Sequence, residues 1–343
     1  MALSLVGGLP RNLIYQDDTE PGYLRVKRGR GHSYLDEGQK LSDKEVLEWI
    51  SSLGIPPDWK DVWISKDRNG HLLATGYDAK GRKQYYYHPL WSKYRNEAKF
   101  RRMKLFGMTL PTIRKKTKED LKRKGWPKEK VLALTIQILD QYGIRIGNER
   151  YKRENQTFGL TTLRRKHLDF QKGVGRLEYK AKSGKYRQIS IKKGQLARLV
   201  KGCSELPGYE IFKYKGDDGK YHHVRSQDVN EYLQEVSQKE FTCKDFRTWH
   251  GTIMAVKKLE EAQKTVAENP RKKLDATVVK LVSEELGNTV SVCRDYYIHP
   301  KVMKAVLVEE KLAKIKKKKL KNLSSEAEEY LDECEQHVLR IIS

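Results

Sequence analysis

The chain is poor in the residues that would mark several common classes of protein. It has only four cysteines in 343 residues, Cys203, Cys243, Cys293 and Cys334. They are scattered and contain no C-x-x-C pair, which argues against a disulfide framework and a zinc site and fits a reducing interior. No apolar stretch approaches the roughly 20 residues that span a bilayer, so no membrane partner is expected. The opening Met-Ala-Leu-Ser-Leu-Val-Gly-Gly is too short, and lacks the charged start, for a signal peptide. There is no internal repeat. Acidic residues are outnumbered, 45 against 70 Lys plus Arg, and nowhere form a cluster of the kind that holds Mg²⁺ for hydrolysis. The formal net charge is therefore +25, an excess that repels itself in a compact chain and suits a polyanion such as nucleic acid.

The length suffices for two domains, with the boundary expected near residues 88–95: a β-rich part over 1–90 and a mainly helical part over 91–343. In the first, Gly22–Arg28 alternates as a half-buried strand, and a short helix follows with Ser42 as N-cap and Glu45 completing a capping box. Asp61–Ser65 and His71–Tyr77 read as strands across the turn 67–70, and Gln84–Pro89 as a third. In the second, Trp91–Phe106 and Lys128–Tyr142 read as helices, the latter with a broad apolar face. Strands are expected at 158–163, 176–180 and 186–191, the last two flanking a glycine-containing hairpin at 181–185. Helices dominate from Gly194, with a loop at 215–219, and a basic run, Lys314–Lys321, precedes a C-terminal helix capped near Ser324 or Ser325.

Four segments can carry chemistry. They are Ile144–Tyr151, the hairpin bearing Lys182, Thr242–Gly251 with Arg247, and Leu286–Pro300 with Asn288, Tyr296 and Tyr297. Each offers a cation, an amide or a phenol, an inventory for stabilising charge at a phosphate. In the first part, Tyr85, Tyr86 and Tyr87 stand among Arg82, Lys83 and His88, a mixture suited to nucleic-acid contact, although one or two of the three tyrosines could equally fill a core. Strand geometry puts Tyr85 and Tyr87 on one face and Tyr86 on the other.

The order Arg145, Lys182, Arg247, Asn288, Tyr297 resembles the catalytic set of type IB DNA topoisomerases, especially the compact poxvirus and bacterial forms. The matching pieces are Arg-Ile-Gly ahead of Tyr-x-x-Glu-Asn, then Thr-Phe-Gly-Leu-Thr-Thr-Leu, a hairpin lysine, Asp-Phe-Arg-Thr-Trp, and Leu-Gly-Asn-Thr ahead of a tyrosine. The spacing from Asn288 and the following Ile-His-Pro favour Tyr297 over Tyr296. Poxvirus members have a histidine where this chain has Asn288, and bacterial members resemble this chain there.

The resemblance implies an α+β fold of the tyrosine recombinase and type IB topoisomerase kind and double-stranded DNA as partner, held in a C-shaped clamp by a monomer. It implies no metal and no other cofactor, with localisation cytoplasmic and nucleoid-associated in a bacterium, or in the virion or host cytoplasm for a large DNA virus. Tyr297 would attack a backbone phosphodiester, leaving a 3′-phosphotyrosyl link and a free 5′-hydroxyl. A free phenol, with pKa about 10, is only on the order of one part in a thousand ionised at pH 7, so cations must favour it. Arg145 and Arg247 would grip phosphate oxygens, Asn288 would add a neutral donor, and Lys182, on a mobile hairpin, would protonate the leaving oxygen, directly or by relay through Arg145. His250 and His299 are expected to be structural or to support site residues from behind, not to react themselves. Two rivals stand beside this reading: a tyrosine recombinase, which typically carries His-x-x-Arg and a helical N-terminal domain, and a non-catalytic basic DNA-binding protein.

Overall fold

The computed structural model describes residues 9–308, 320 and 323–343, so the basic run at 314–321 lies, Leu320 apart, outside the described residues. The chain divides into two compact units at residues 99 and 100, within one long helix.

The first unit is a six-stranded antiparallel sheet with one helix. Its elements are β1 (Gly22–Arg28), β2 (Gly31–Asp36), β3 (Gln39–Lys40), α1 (Lys44–Ser52), β4 (Lys60–Ser65), β5 (Leu72–Tyr77) and β6 (Lys83–Tyr87), in the sheet order β3-β2-β1-β4-β5-β6. β2 and β3 add to the expected strands. Ile50 of α1 and Leu53 at its C-cap pack with Val62, Ile64, Leu73 and Ala74 to form its small core. Asp43, rather than Ser42, caps α1, its carboxylate accepting from the Val46 amide at 3.2 Å, where a charged acceptor also complements the helix dipole.

The second unit begins within α2 (Pro89–Asp120) and continues through α3 (Lys128–Tyr142), α4 (Glu149–Asn155), β7 (Leu168–Gln171), β8 (Val174–Lys180) and β9 (Tyr186–Ile191). Then come α5 (Gln195–Glu205), β10 (Lys213–Lys215), β11 (Tyr221–His223), α6 (Ser226–Ser237), α7 (Cys243–Lys257), α8 (Leu259–Glu268), α9 (Leu274–Leu286), α10 (Val290–Tyr296) and α11 (Pro300–Val306). A short helix, Ser325–Glu328, and a C-terminal helix, Glu333–Ile342, follow. α2 runs well beyond the expected Phe106 and through Pro111. Leu110 and Ile113 are fully buried there, and that burial offsets the roughly 3 kcal/mol an internal proline costs. α3 is the buried centre, with Val131, Leu134, Ile136, Ile138 and Leu139 all inside.

Two further expectations are corrected. The segment 158–163 is not a strand: Leu160–Thr162 forms a single 3₁₀ turn, because its amides are taken by the loop after α3 rather than by a neighbouring strand. Leu160 N–H donates to Arg145 O at 2.8 Å and Thr161 N–H to Ile146 O at 2.7 Å. At the C-terminus, Ser324 caps only the short helix, and the longer one starts afresh at Asp332, in a capping box with Glu335.

Candidate active site

α9 ends on Gly287 in the left-handed conformation (φ 63°), and Asn288 N–H closes back on Ser283 O at 2.9 Å. The carbonyls left over at this terminus form the negative end of the helix dipole. Four cations gather on them. Arg145 donates to Gly287 O at 3.2 Å, Arg247 to Leu286 O at 3.1 Å, Arg187 to Glu284 O at 3.1 Å and Lys185 to Asn288 O at 2.8 Å. None of the four forms a salt bridge with a carboxylate among the described residues.

Two of these cations also take the Asn288 side chain. Its Oδ1 accepts from Arg145, and from Arg247 at 3.4 Å, while its Nδ2 is buried with no partner. The amide is thus turned so that its donor end is unspent. Arg247 lies on α7, 5% exposed, and also donates to Gly143 O. Burial lowers its pKa, and the neighbouring Tyr297 acts in the opposite sense. Arg145 is brought down to about 10, by burial first and then by repulsion from Arg247. It remains charged at neutral pH, and two guanidiniums held this close without an acid between them favour an anion.

Tyr297 sits at the end of α10, its ring 5.3 Å from the Arg247 guanidinium carbon. α7 fixes its backbone: Thr252 Oγ1 donates to Tyr297 O at 3.2 Å. A Cβ on Gly251 would lie 2.8 Å from that same carbonyl oxygen, so only glycine permits this approach. Tyr296 is 43% exposed. Gly143 (φ 55°) plays a similar part on the other side of α7, where a Cβ would meet the His250 ring at 2.8 Å. His250 is buried and its pKa falls to about 4, chiefly through burial and then Arg247. His299 caps α11, its Nδ1 accepting from Lys301 N–H at 3.1 Å, and it too is brought to about 4 by burial.

Arg145, Arg247, Asn288 and Tyr297 therefore come together, but Lys182 is not bonded to them. It stands exposed on the turn 182–184 between β8 and β9. The hairpin residues that reach the cluster are Lys185 and Arg187, which sequence reasoning passed over. The signal was available, since residues two apart on a strand share a face.

On the first unit, β6 is an edge strand. Tyr85, half exposed, stacks on Tyr87 with ring centres 6.0 Å apart, and Tyr86 packs against the core instead. Arg82 and Lys83 already have carboxylate partners, Asp78 at 2.6 Å and Asp18 at 2.5 Å. Among the described residues no three of His, Cys, Asp or Glu are grouped as a metal ion requires.

Residues 83–326 match the family model of the eukaryotic DNA topoisomerase I catalytic core, and residues 31–78 that of the bacterial DNA topoisomerase IB N-terminal domain. The chain is 33% identical over 286 residues to DNA topoisomerase 1B of Acanthamoeba polyphaga mimivirus, covering 81% of this chain and 85% of the relative. It is 22% identical over 269 residues to DNA topoisomerase 1B of Vaccinia virus (strain Copenhagen), covering 77% and 83%. Among solved structures, the XerH site-specific recombinase bound to difH substrate matches with a TM-score of 0.33 at 15% identity, over 55% of this chain and 48% of that one.

Proposed function

The chain belongs to the type IB DNA topoisomerases, and from that premise we propose that it relaxes supercoiled DNA through a transient bond between Tyr297 and a backbone phosphate. The observation that carries the reading is the cluster at the end of α9: Arg145 and Arg247, with no carboxylate partner among the described residues, hold Asn288 with its donor free, and Arg247 lies beside Tyr297.

The tyrosine oxygen, its proton passed to solvent, attacks phosphorus, and the bond from phosphorus to the 5′-oxygen breaks. Arg145 and Arg247 offset the charge that grows on the non-bridging oxygens, and the Asn288 amide donates one further hydrogen bond. The departing 5′-oxygen takes a proton from Lys182. The phosphotyrosine retains roughly the energy of the broken ester, so the reverse steps reseal the strand without ATP, and no step calls for a metal. Rotation of the cut strand between the two steps releases supercoils.

Double-stranded DNA is the partner. The stacked Tyr85 and Tyr87 of the first unit supply a second set of contacts, with Arg82 and Lys83 beside them and Tyr86 serving the core. The protein acts as a monomer on the duplex.

The test is supercoiled plasmid in EDTA without ATP. Relaxation is expected, lost in Tyr297→Phe and kept in Tyr296→Phe, with the DNA-tagged peptide of the trapped intermediate mapping to residue 297. Relaxation lost only in Tyr296→Phe would move the nucleophile by one position, and strand exchange at a fixed site without relaxation would favour a recombinase.

A further inference from the structure

Lys182 has no hydrogen-bond or ion-pair partner among the described residues, so its position is set entirely by the hairpin that carries it. Two backbone hydrogen bonds close that hairpin tip. Ala181 N–H donates to Lys185 O at 2.7 Å and Gly184 N–H to Ala181 O at 3.1 Å, with Ser183 (φ 65°) and Gly184 (φ 74°) both left-handed. Whatever holds residues 185–187 therefore places residue 182.

Two side chains hold them, and both reach the same helix terminus. Lys185 Nζ donates to Asn288 O, and Arg187 donates to Glu284 O one turn earlier. Arg187 is seated from both sides. Gly287 lies so close that a Cβ there would come 3.0 Å from Arg187 Cδ, and Arg187 stands directly across from Tyr179, which is buried on the adjacent strand. Since the cation-to-carbonyl bonds run from the start of β9 to the end of α9, they join the hairpin whose turn bears Lys182 to the loop bearing Asn288.

Resting on the function proposed above, we propose that Lys185 and Arg187 are positioning residues: they fasten the β8–β9 hairpin to the C-terminal end of α9 and so set Lys182 against the leaving 5′-oxygen. Neither needs to touch the phosphate to do this.

Single-turnover cleavage of a suicide duplex tests the idea, alongside the same duplex with sulfur in place of the bridging 5′-oxygen. A thiolate, with parent pKa near 8.5, departs without the proton an alkoxide needs. Arg187→Ala and Lys185→Ala should each slow cleavage of the ordinary substrate by about tenfold to a hundredfold, within the ~10²–10⁴ that a placed acid contributes. DNA affinity should stay within about twofold, as only a few of the many phosphate contacts are touched. On the sulfur substrate both variants, like Lys182→Ala, should recover to near the unmodified rate, and Arg187→Lys should recover in part on the ordinary one.

Equal loss on the two substrates, or no loss in either variant, overturns the proposal. Lys185, at the hairpin's solvent edge, provides the readout if Arg187→Ala unfolds. Should Lys182→Ala itself gain nothing from sulfur, the acid role of Lys182 fails and the positioning role with it. Should it gain while the other two do not, only the positioning role fails.

Discussion

Asn288 uses its carbonyl oxygen on two guanidiniums, and its NH₂ is buried without a partner, the donor that the proposed function directs at the phosphate. Asn288→Asp keeps the shape but puts a carboxylate between Arg145 and Arg247, cancelling charge meant for the phosphate. Single-turnover cleavage should fall by about 10²–10³, the scale of losing one well-placed donor, with little change in melting temperature. A variant that cleaves normally would remove Asn288 from the chemistry. The histidines act on stability instead. His167, His250 and His299 are each brought to about 4 in the folded protein, first by burial, against an ordinary 6.5. The unfolded chain therefore takes up protons first, so their stabilisation is complete above pH 6.5 and is lost as pH falls toward 4. Melting temperature should decline over that window, and His299→Asn, which retains an acceptor for the Lys301 amide, should make the decline shallower.

At the scale of elements, the C-terminal helix is tied to the helix that carries Arg247. Glu335 accepts from Arg114 at 2.6 Å and from Trp249 Nε1 at 3.1 Å, and Arg114 also bonds Asp140 on α3 at 2.7 Å. Burial works against the Arg114 charge, but the two carboxylates outweigh it and raise its pKa. α2 meets the same tryptophan through Gly107, where a Cβ would come 2.4 Å from the indole. Glu335→Ala leaves a half-buried guanidinium paired with Asp140 alone and should destabilise the protein by about 1.5–3 kcal/mol in urea unfolding, the scale of a lost hydrogen bond to a charged group. Gly287→Ala combines a left-handed backbone with a close approach to Arg187, and should both destabilise and slow cleavage. A loss of stability with cleavage unchanged would show that the end of α9 matters only for packing.

For the whole molecule the governing quantity is the net charge of +25. The logarithm of DNA affinity should fall linearly with the logarithm of salt concentration, with a slope of about −0.9 for each phosphate neutralised. Fluorescence titration between low and physiological salt measures it. Lys83→Ala should leave that slope nearly unchanged, because Asp18 already partners this lysine. A drop of a full phosphate equivalent would show that DNA displaces the carboxylate. No described helix is long and apolar enough to cross a membrane.

The sequence by itself determined which chemistry is affordable here. Scattered cysteines, ungrouped acids and a surplus of lysine plus arginine were visible without coordinates, as were Arg145, Arg247, Asn288 and Tyr297 in order. So were the apolar face of Lys128–Tyr142 and the hairpin at 181–185, because periodicity and turn chemistry are local. Tertiary structure decided what local pattern does not encode. It drew 158–163 out of a strand by giving its amides to the Arg145 loop, and carried α2 through Pro111 on the strength of burial. It also brought together, at the end of one helix, cations from residues 145, 185, 187 and 247. Their common partner is a set of backbone carbonyls, and which side chains those attract depends on where the chain returns rather than on any nearby spacing in the sequence.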